Sequence, residues 1–293
     1  MIEDLKIYTV LVAYNSTKEN LYPLVNELLK QSSFLVICNN SKVDLIYDHI
    51  RIKVLNFSEN LGIARAQTLG MSWAYEQGAD FVLQMDQDSL PDVDMVKILH
   101  TTYLDLIAAN YNVGLIGPQD YDRNTKKIQR ARFNKGISVT GIDSVVLVDA
   151  TLSSGSLIPK TAFHSVGGML DELFIDAVDF EYCWRLSSNG FVIARSNEAG
   201  LAHCLGEGRK SFLGLFDFGI PSPVRHYYAF RNVFYLFGLK YVPTYWKVSS
   251  ALKIIFKIFF YPVILKNGTE RLRYMLLGIK DGLRKKMYRI DSF

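Results

Sequence analysis

Two aspartates one residue apart, Asp86 and Asp88, follow an apolar stretch, FVLQM at residues 81–85. The stretch is typical of a buried strand, so both carboxylates leave a strand end as it enters a loop and can point into one space. Hard divalent cations such as Mg²⁺ and Mn²⁺ take one or two carboxylates together with substrate phosphates. The pair therefore predicts a metal and phosphate site. The alternative interpretation is that Asp88 caps the following helix.

A second group of acids, Asp176, Asp179 and Glu181, lies within six residues of sequence in FIDAVDFEYCWRL. Crowded carboxylates raise one another's pKa, and a raised pKa suits a general base. Acids are also favoured at a helix N-terminus by the helix macrodipole, without any chemical role. On the residues alone, the helix-terminus interpretation is preferred.

Two later segments carry cationic and polar groups. His203 stands in LAHCLGEG, where nearby glycines predict a tight loop that could approach a phosphate, although a lone histidine is more often structural. The block RHYYAFRN places Arg225, Tyr228, Arg231 and Asn232 at helical spacings. Arginine suits bidentate contacts to phosphate, and the alternative is an ordinary solvated helix face.

Alternating apolar runs and amphipathic stretches occupy the first half of the chain. The pattern predicts strands at 7–13, 34–38, 51–56, 81–85 and 113–117, and helices at 19–31, 61–77 and 92–108. Strands and helices at these intervals indicate parallel βαβ units with right-handed crossovers. Ligands of such sheets bind beyond the carboxyl ends of the strands. Polar clusters fall at those ends, at Tyr14-Asn15, Asn39-Asn40 and Asp86-Gln87-Asp88.

The pattern changes after about residue 120. It predicts antiparallel strands within 128–158, a helix at 177–189, strands near 191–195 and 199–204, a helix at 223–238 and a helical C-terminal arm. Element boundaries read from a single sequence are the least certain part of such a prediction.

The composition excludes several classes of protein. With 49% hydrophobic and 21% charged residues among 293, the chain is neither disordered nor fibrous. Three cysteines are too few for a disulfide framework. The first strand is not followed by Gly-x-Gly-x-x-Gly, which argues against a dinucleotide fold. The N-terminal residues lack the features of a secretory signal.

The charge is unevenly distributed. From residue 239 onward, eight lysines and four arginines face three acids, a net charge of +9, which leaves −5 for the preceding 238 residues. The arm is also apolar and aromatic, which favours an anionic membrane surface over nucleic acid. Lys253 and Lys257 interrupt its most apolar part, 251–265, and Pro262 is expected to break it, so an interfacial helix is predicted rather than a span. The alternative is a basic helical cap packed on the domain.

The order of these motifs carries more information than any one of them. TVLVAYN, ICNNS, SENLGIARAQTLG, LQMDQDS, SSGSLIP, FIDAVDFEYCWRL, HCLGEG and RHYYAFRN together resemble the inverting glycosyltransferases of family 2. Three of these motifs resemble those of the bacterial rhamnosyltransferase branch in particular: DQDS, FID-x-x-D-x-E and RHYY-x-x-RN. The resemblance implies an α/β fold of the GT-A type, with a Rossmann-like mixed sheet. Residues 1–118 would form a nucleotide-binding half, 119–238 an acceptor half and 239–293 a membrane-associating helical extension.

The resemblance also implies residue roles. Asp179 would be the catalytic base, and Asp88 and His203 would bind the metal. Asn39 stands where the family usually has an aspartate that reads the pyrimidine. The donor site would comprise Ala13, Tyr14, Asn15, Asn39, Asn60, Gly62, Arg65, Asp86 and Gln87. The acceptor or a phosphate would meet Ser154, Gly155, Ser156, Asp176, Glu181, Arg225, Tyr228, Arg231 and Asn232.

The implied reaction is a single displacement that moves L-rhamnose from dTDP-β-L-rhamnose, with Mg²⁺ or Mn²⁺, in the synthesis of surface polysaccharides such as O-antigen or capsule. The implied acceptor is a saccharide on a polyprenyl diphosphate, met by a cytoplasmic enzyme bound peripherally to the inner face of the bacterial membrane. Nucleic acid is not an expected partner. The oligomeric state stays open, with a homodimer among the options.

Three alternatives accompany this interpretation. The same chemistry could use another donor, such as UDP-galactofuranose or UDP-glucose. A sugar-nucleotide pyrophosphorylase would share the nucleotide domain but expects a Gly-rich basic loop where this chain has YNSTKEN. A non-catalytic scaffold with a decayed site is disfavoured by the presence of Asp86, Asp88 and Asp179.

Overall fold

The computed structural model describes residues 5–123, 125–126, 128, 136–203, 209–212, 216–219 and 221–290. For residue 203 and for the segments 209–212 and 216–219, it describes the backbone alone.

The described part contains twelve strands, eight α-helices and one short 3₁₀ helix, Asp171–Leu173. The strands are β1 (Ile7–Ala13), β2 (Phe34–Asn39), β3 (Ile52–Asn56), β4 (Phe81–Asp86), β5 (Ser89–Pro91), β6 (Val113–Asp122), β7 (Ile137–Val139), β8 (Ile142–Leu147), β9 (Leu157–Pro159), β10 (Val192–His203), β11 (Arg209–Phe212) and β12 (Phe216–Gly219). The helices are α1 (Lys18–Gln31), α2 (Ile63–Glu76), α3 (Met95–Ala108), α4 (Lys160–Val166), α5 (Val178–Ser188), α6 (Pro223–Phe237), α7 (Thr244–Ile264) and α8 (Gly268–Leu283).

Ten strands form one mixed sheet in the order β3-β2-β1-β4-β9-β6-β10-β8-β7, with β5 paired to β10. The neighbours β3, β2, β1 and β4 run parallel, whereas β9 pairs antiparallel with β4 and β6. The strands β11 and β12 form a separate antiparallel pair. The predicted parallel first half and the predicted antiparallel segment after residue 136 are therefore confirmed.

Helices cover both faces of the sheet. Along β1, Leu11 packs in a core with α1 and α3, whereas Val10 packs in a second core with α2 and α5. Successive side chains of a strand point to opposite faces, so a strand that is buried on both faces must be apolar at nearly every position. This explains why β1 has the continuous apolar sequence IYTVLVA.

Most predicted elements are confirmed, with four differences. The helix predicted from 92 begins at Met95, because β5 occupies 89–91 first. The strand predicted at 113–117 continues to Asp122. The two strands predicted near 191–204 form one strand, β10, whose register on β6 shifts between Arg195 and Gly200. Pro262 does not stop α7, which continues two residues further to Ile264.

The C-terminal helices pack on α6. Gly278 and Gly282 of α8 face α6 so closely that a Cβ atom would collide with the carbonyl oxygens of Tyr227 and Arg231 respectively. A further small core joins Phe230 of α6, Ile254 of α7 and Met275 of α8. The helix α8 is thus packed directly against the backbone of α6. No helix among the described residues is both long and apolar enough to cross a membrane.

Candidate active site

A cavity of about 1180 Å³ opens at the carboxyl ends of β1 and β4. Val12, Tyr14, Asp86 and Asp88 line it from the strand ends, as the topology of a parallel sheet predicts. Its opposite wall comes from the loop before α5, from α6 and from the residues that follow α8. On that wall the rings of Phe174 and Tyr228 stack at 4.9 Å. The site is therefore a cleft between the sheet and the C-terminal helices.

A second cavity of about 740 Å³ adjoins the first, and both are lined by Tyr14, Asn40, Asn60 and Arg289. The Asn40 amide nitrogen donates to the Asn60 side-chain oxygen at 3.1 Å, and the Leu61 amide donates to the Asn40 side-chain oxygen at 2.7 Å. These bonds tie the end of β2 to the loop before α2.

Gln87 joins the loops that follow β1 and β4. Its side-chain oxygen accepts from the Tyr14 amide at 2.7 Å and from the Ser16 hydroxyl at 2.8 Å, while its amide nitrogen donates to the Tyr14 carbonyl at 3.2 Å. Asn15 next to it has a φ of 51° and donates its amide to the Ser41 hydroxyl at 2.8 Å. The predicted donor-site residues Tyr14, Asn15 and Gln87 therefore form one bonded rim.

Asp86 is the most perturbed acid at the cleft. Burial, and then the charges of Asp88 and Asp179, raise the pKa of its carboxyl to about 7. Among the described residues, nothing donates a hydrogen bond to its Oδ1 atom, which is shielded from solvent. A buried polar atom without a partner is costly, so this oxygen is available for a ligand.

Asp179 stands in the first turn of α5, where its carboxylate accepts from the Phe180 amide at 2.9 Å. Burial raises the pKa of this carboxyl to about 6; hydrogen bonds from backbone amides oppose the rise, and the charge of Asp176 adds to it. The charge of Asp179 also contributes to the raised pKa of Asp86. A base with a pKa near 6 is ionised at neutral pH yet still accepts a proton readily.

Asp176 and Arg225 form an ion pair at the mouth of the cleft, with Arg225 Nε at 3.0 Å from Oδ2 and a second, shorter contact to Oδ1. Arg225 lines the cavity, as does Tyr228 one turn later on α6. Asp86, Asp88, Arg225 and Tyr228 thus line one cavity. Asp176 and Asp179 do not line it; Asp176 is bonded to Arg225, and Asp179 follows the loop whose Phe174 and Ile175 form part of the wall.

Arg231 and Asn232 do not line the cavity, contrary to the expectation that they meet the acceptor or a phosphate. Both are fully buried in α6. The Asn232 amide donates to the carbonyls of Leu173, Ile175 and Asp176 at 2.7–3.0 Å. The Arg231 guanidinium donates to the carbonyls of Glu172, Leu173 and Tyr288. Their polar groups bond to backbone carbonyls, so these two side chains hold the loop before Asp179 in place from the side of α6.

Glu181 also needs a correction, because its side chain is fully buried away from the cleft. It forms a bidentate pair with Arg185, at 2.7 and 3.0 Å, and accepts from the Tyr241 hydroxyl at 2.6 Å. A carboxylate with these partners has no free oxygen directed at a substrate. Its position on the helix links α5 to the residues between α6 and α7.

Several further predicted site residues are structural neighbours of the cleft. Ser154 Oγ accepts from the Asp86 amide at 3.2 Å. The Gly155 amide donates to the Gln84 carbonyl at 2.7 Å, and the Ser156 carbonyl accepts from the Gln84 amide at 2.9 Å. This turn therefore braces the end of β4 rather than lining the cavity. Arg65 pairs with Asp171 at 3.5 Å on the surface of α2.

At the end of β2, the residue that lines the cavity is Asn40 and not the expected Asn39. Asn39 is fully buried, with its amide nitrogen donating to the Val43 carbonyl and the Asn56 side chain, each at 2.7 Å. The cavity is lined instead by Asn40, which was not among the predicted site residues. Asn60 and Gly62 line the cavity as expected, whereas Ala13 is buried behind it. The side chain of His203 lies outside the described residues.

The residues present fit a divalent cation. No group of three or more His, Cys, Asp or Glu side chains with metal-ligand geometry occurs in the described ranges. Mg²⁺ and Mn²⁺, however, commonly bind through one or two carboxylates plus substrate phosphates. Asp86 and Asp88 supply two carboxylates at the cavity wall, one with an unpartnered buried oxygen and a raised pKa, as expected where positive charge is lacking.

The raised pKa of Asp179 has a consequence for stability. A carboxyl whose pKa rises from 3.8 to about 6 on folding holds its proton longer in the folded state, so stability decreases as pH rises from about 4 to about 6. We expect Asp179→Asn to raise the melting temperature by a few degrees at pH 8, with the gain disappearing near pH 4. Thermal unfolding without divalent cations measures this. Asp105→Asn, at an exposed position of α3, is the control. An equal or lower melting temperature for Asp179→Asn at pH 8 would contradict the assigned burial.

Sequence comparison supplies the family. The family model described as glycosyl transferase family 2 matches residues 8–150. A curated protein of Shigella flexneri, "dTDP-rhamnosyl transferase RfbF", is 31% identical over 291 residues, which covers 95% of each chain. This match removes the pyrophosphorylase alternative.

Structural comparison supplies the fold. The S. aureus TarS fragment 1–349 aligns with a TM-score of 0.58 at 14% identity, covering 95% of this chain and 81% of that one. The structure of GalNAc-T7 with UDP, GalNAc and Mn²⁺ aligns with a TM-score of 0.58 at 12% identity, and the match covers 94% of this chain but only 55% of GalNAc-T7. Because the Shigella flexneri relative is similar to this chain along nearly the whole length of both, the chain belongs to glycosyl transferase family 2. It has the GT-A fold that its motifs predict.

Proposed function

We propose that this glycosyltransferase moves L-rhamnose from dTDP-β-L-rhamnose to a saccharide acceptor with inversion at the anomeric carbon. The observation that carries the mechanism is the position of Asp179 in the first turn of α5, directly after the loop whose Phe174 and Ile175 line the same cavity as Asp86 and Asp88. The raised pKa of Asp179, about 6, is consistent with a base. The choice of donor rests on the similarity to the Shigella flexneri protein, whose name specifies dTDP-rhamnosyl transfer.

In the proposed reaction, the acceptor hydroxyl attacks the anomeric carbon of rhamnose and gives its proton to the Asp179 carboxylate. The bond between the anomeric carbon and the diphosphate oxygen breaks, and the electron pair leaves with the dTDP. One displacement converts the β-linked donor into an α-L-rhamnoside, and no covalent sugar intermediate on the protein is required, unlike in retaining glycosidases. A divalent cation held by Asp88 with Asp86 would neutralise the charge of the departing diphosphate.

The roles of the neighbouring residues follow from their positions. Asn40 and Asn60 offer amide groups to the nucleotide in the second cavity, and the exposed Tyr14 ring offers a stacking surface. Arg225 and Tyr228 line the larger cavity on the wall that faces the strand ends, and we assign them to the acceptor. Arg225 is held by Asp176, which leaves the outer part of its guanidinium for an acceptor phosphate.

We also infer that the acceptor is lipid-linked and that α7 rests on an anionic membrane. Six large apolar side chains of α7 are 47–83% exposed: Leu252, Ile255, Phe256, Phe259, Phe260 and Val263. Their spacing of three and four residues places them on one stripe of the helix. The surrounding segment carries the net positive charge, and the combination is typical of an interfacial helix that binds anionic lipid. On this proposal the enzyme works peripherally at the inner face of the bacterial cell membrane.

The donor and the base are tested together by measuring product mass. Purified protein receives dTDP-rhamnose, UDP-glucose or UDP-galactofuranose with a lipid-linked saccharide. We expect transfer from dTDP-rhamnose, and a loss of about 10²-fold or more in turnover for Asp179→Asn, the scale of general-base loss. Binding of dTDP should be unchanged in that variant. Wild-type turnover should rise with pH through about 6, as Asp179 loses its proton. Transfer only from a UDP-sugar would replace the donor, and full turnover in Asp179→Asn would remove the base.

Metal dependence is tested at Asp88. Calorimetry of dTDP binding to the wild-type protein should show tighter binding with Mn²⁺ than with EDTA, because the cation joins the carboxylates to the diphosphate. For Asp88→Asn we expect the difference between the two conditions to shrink by about tenfold or more. Asp105→Asn serves as the control carboxylate. Equal wild-type affinity with and without Mn²⁺ would eliminate the metal role.

Membrane contact is tested by flotation with vesicles that contain phosphatidylglycerol. We expect the wild-type protein to float, Phe259→Glu to stay in solution, and Ile50→Glu to behave as the wild type. Ile50 is the matched control because it is 92% exposed outside α7. Removing residues 239–293 would be a poorer test, since α8 packs on α6. Equal flotation of Phe259→Glu and the wild type would overturn the membrane proposal.

A further inference from the structure

The residues that follow α8 return to the active-site cleft. The Tyr288 amide donates to the Glu172 carbonyl at 3.1 Å, and the Tyr288 carbonyl accepts from the buried Arg231 guanidinium. Two residues later, the Ile290 amide donates to the Tyr228 hydroxyl at 3.1 Å. These bonds fix the backbone on both sides of Arg289.

Arg289 is placed where the two cavities meet, and it lines both of them. Its side chain is exposed, and within the described part of the chain it makes no hydrogen bond or ion pair. The other cationic side chain on the wall of the larger cavity, Arg225, is already paired with Asp176. Arg289 is thus a positioned guanidinium whose charge is left for a ligand.

The other side of the cleft is acidic. Asp86 and Asp88 line it. An anionic ligand that binds beside these carboxylates needs positive charge from the opposite wall. A guanidinium presents paired N–H donors that match the oxygens of a phosphate group.

We propose that Arg289 binds the diphosphate of the nucleotide donor and stabilises it as the leaving group. This inference rests on the proposed function, and adds to it a donor-binding residue from the C-terminal tail. A diphosphate could also come from a polyprenyl acceptor. The donor is favoured because Arg289 shares both cavities with Tyr14, Asn40 and Asn60, which follow the ends of β1 and β2 or precede α2.

The experiment measures binding of dTDP, thymidine and farnesyl diphosphate to the full-length protein in the presence of Mg²⁺. Calorimetry follows the diphosphates, and ligand-observed NMR follows thymidine. We expect Arg289→Gln to weaken dTDP binding about tenfold or more and to leave thymidine binding unchanged, since thymidine has no phosphate. Arg289→Lys should give an intermediate affinity for dTDP. Arg284→Gln, an exposed arginine at the end of α8, is the matched control and should bind dTDP as the wild type does.

Each other outcome has a defined meaning. Wild-type affinity of Arg289→Gln for dTDP would overturn the inference and leave the proposed function intact. A selective loss of farnesyl diphosphate binding would move Arg289 to the acceptor site and overturn it as well. Weaker thymidine binding in Arg289→Gln would show a general distortion of the site and contradict a specific phosphate contact. A wild-type protein that binds none of the nucleotide ligands would overturn the proposed function together with the inference.

Discussion

The bonds from Arg231 and Asn232 to the backbone of residues 172–176 hold the active site in its shape. The two side chains take up five carbonyl contacts to that loop. The loop contains Phe174 and Asp176 at φ values of 61° and 73°, followed by Ala177 at 62°. Non-glycine residues in this region of backbone space are strained and persist only where their surroundings hold them. Because Asp179 is the second residue of α5, which begins directly after this loop, the position of the proposed base depends on α6.

Burying Arg231 is unfavourable in itself, and burial lowers the pKa of its guanidinium. Carbonyl acceptors compensate part of this cost, and the rings of Tyr227 and Tyr228 lie at 5.4 and 5.0 Å from its central carbon. The same guanidinium also holds the Tyr288 carbonyl. One buried cation of α6 therefore joins the loop before Asp179 to the segment of Arg289, and these are two parts of the wall that faces the strand ends.

The sequence predicts the parallel strands of the first half well because each of them is a run of apolar residues. It also predicts Asp86 and Asp88 at the cavity, since both follow an apolar strand whose carboxyl end opens there. For Asp179 the residues alone favour a helix terminus, and the role of base comes from the family resemblance. The sequence does not distinguish a polar side chain that faces a ligand from one that faces the backbone. Arg231, Asn232 and Glu181 belong to the same motifs as Arg225 and Asp179, yet their partners are distant in sequence.

Asn39 and Asn40 show the same limit at a single strand end. Both are buried, but Asn39 ends β2 and bonds to Val43 and Asn56, whereas Asn40 comes one residue later, on the opposite side of the chain, and lines the cavity. That alternation is the signal by which Asn40 could have been chosen. Arg289 has no comparable signal, because its place depends on how α8 packs through Gly278 and Gly282.

The charges around Asp176 extend this coupling towards α7. Asp176 pairs with Arg225 at the cleft, and its charge also acts on Lys257 of α7, opposing the effect of burial, which lowers the pKa of that ammonium. The ring of Tyr261 lies 5.8 Å from the same ammonium nitrogen. A helix that lies on lipid through its apolar stripe would therefore carry Lys257 on its inner side, next to the acid that precedes the base. Lys257 therefore connects α7 electrostatically to the ion pair of Asp176 and Arg225, and Arg225 lines the cavity.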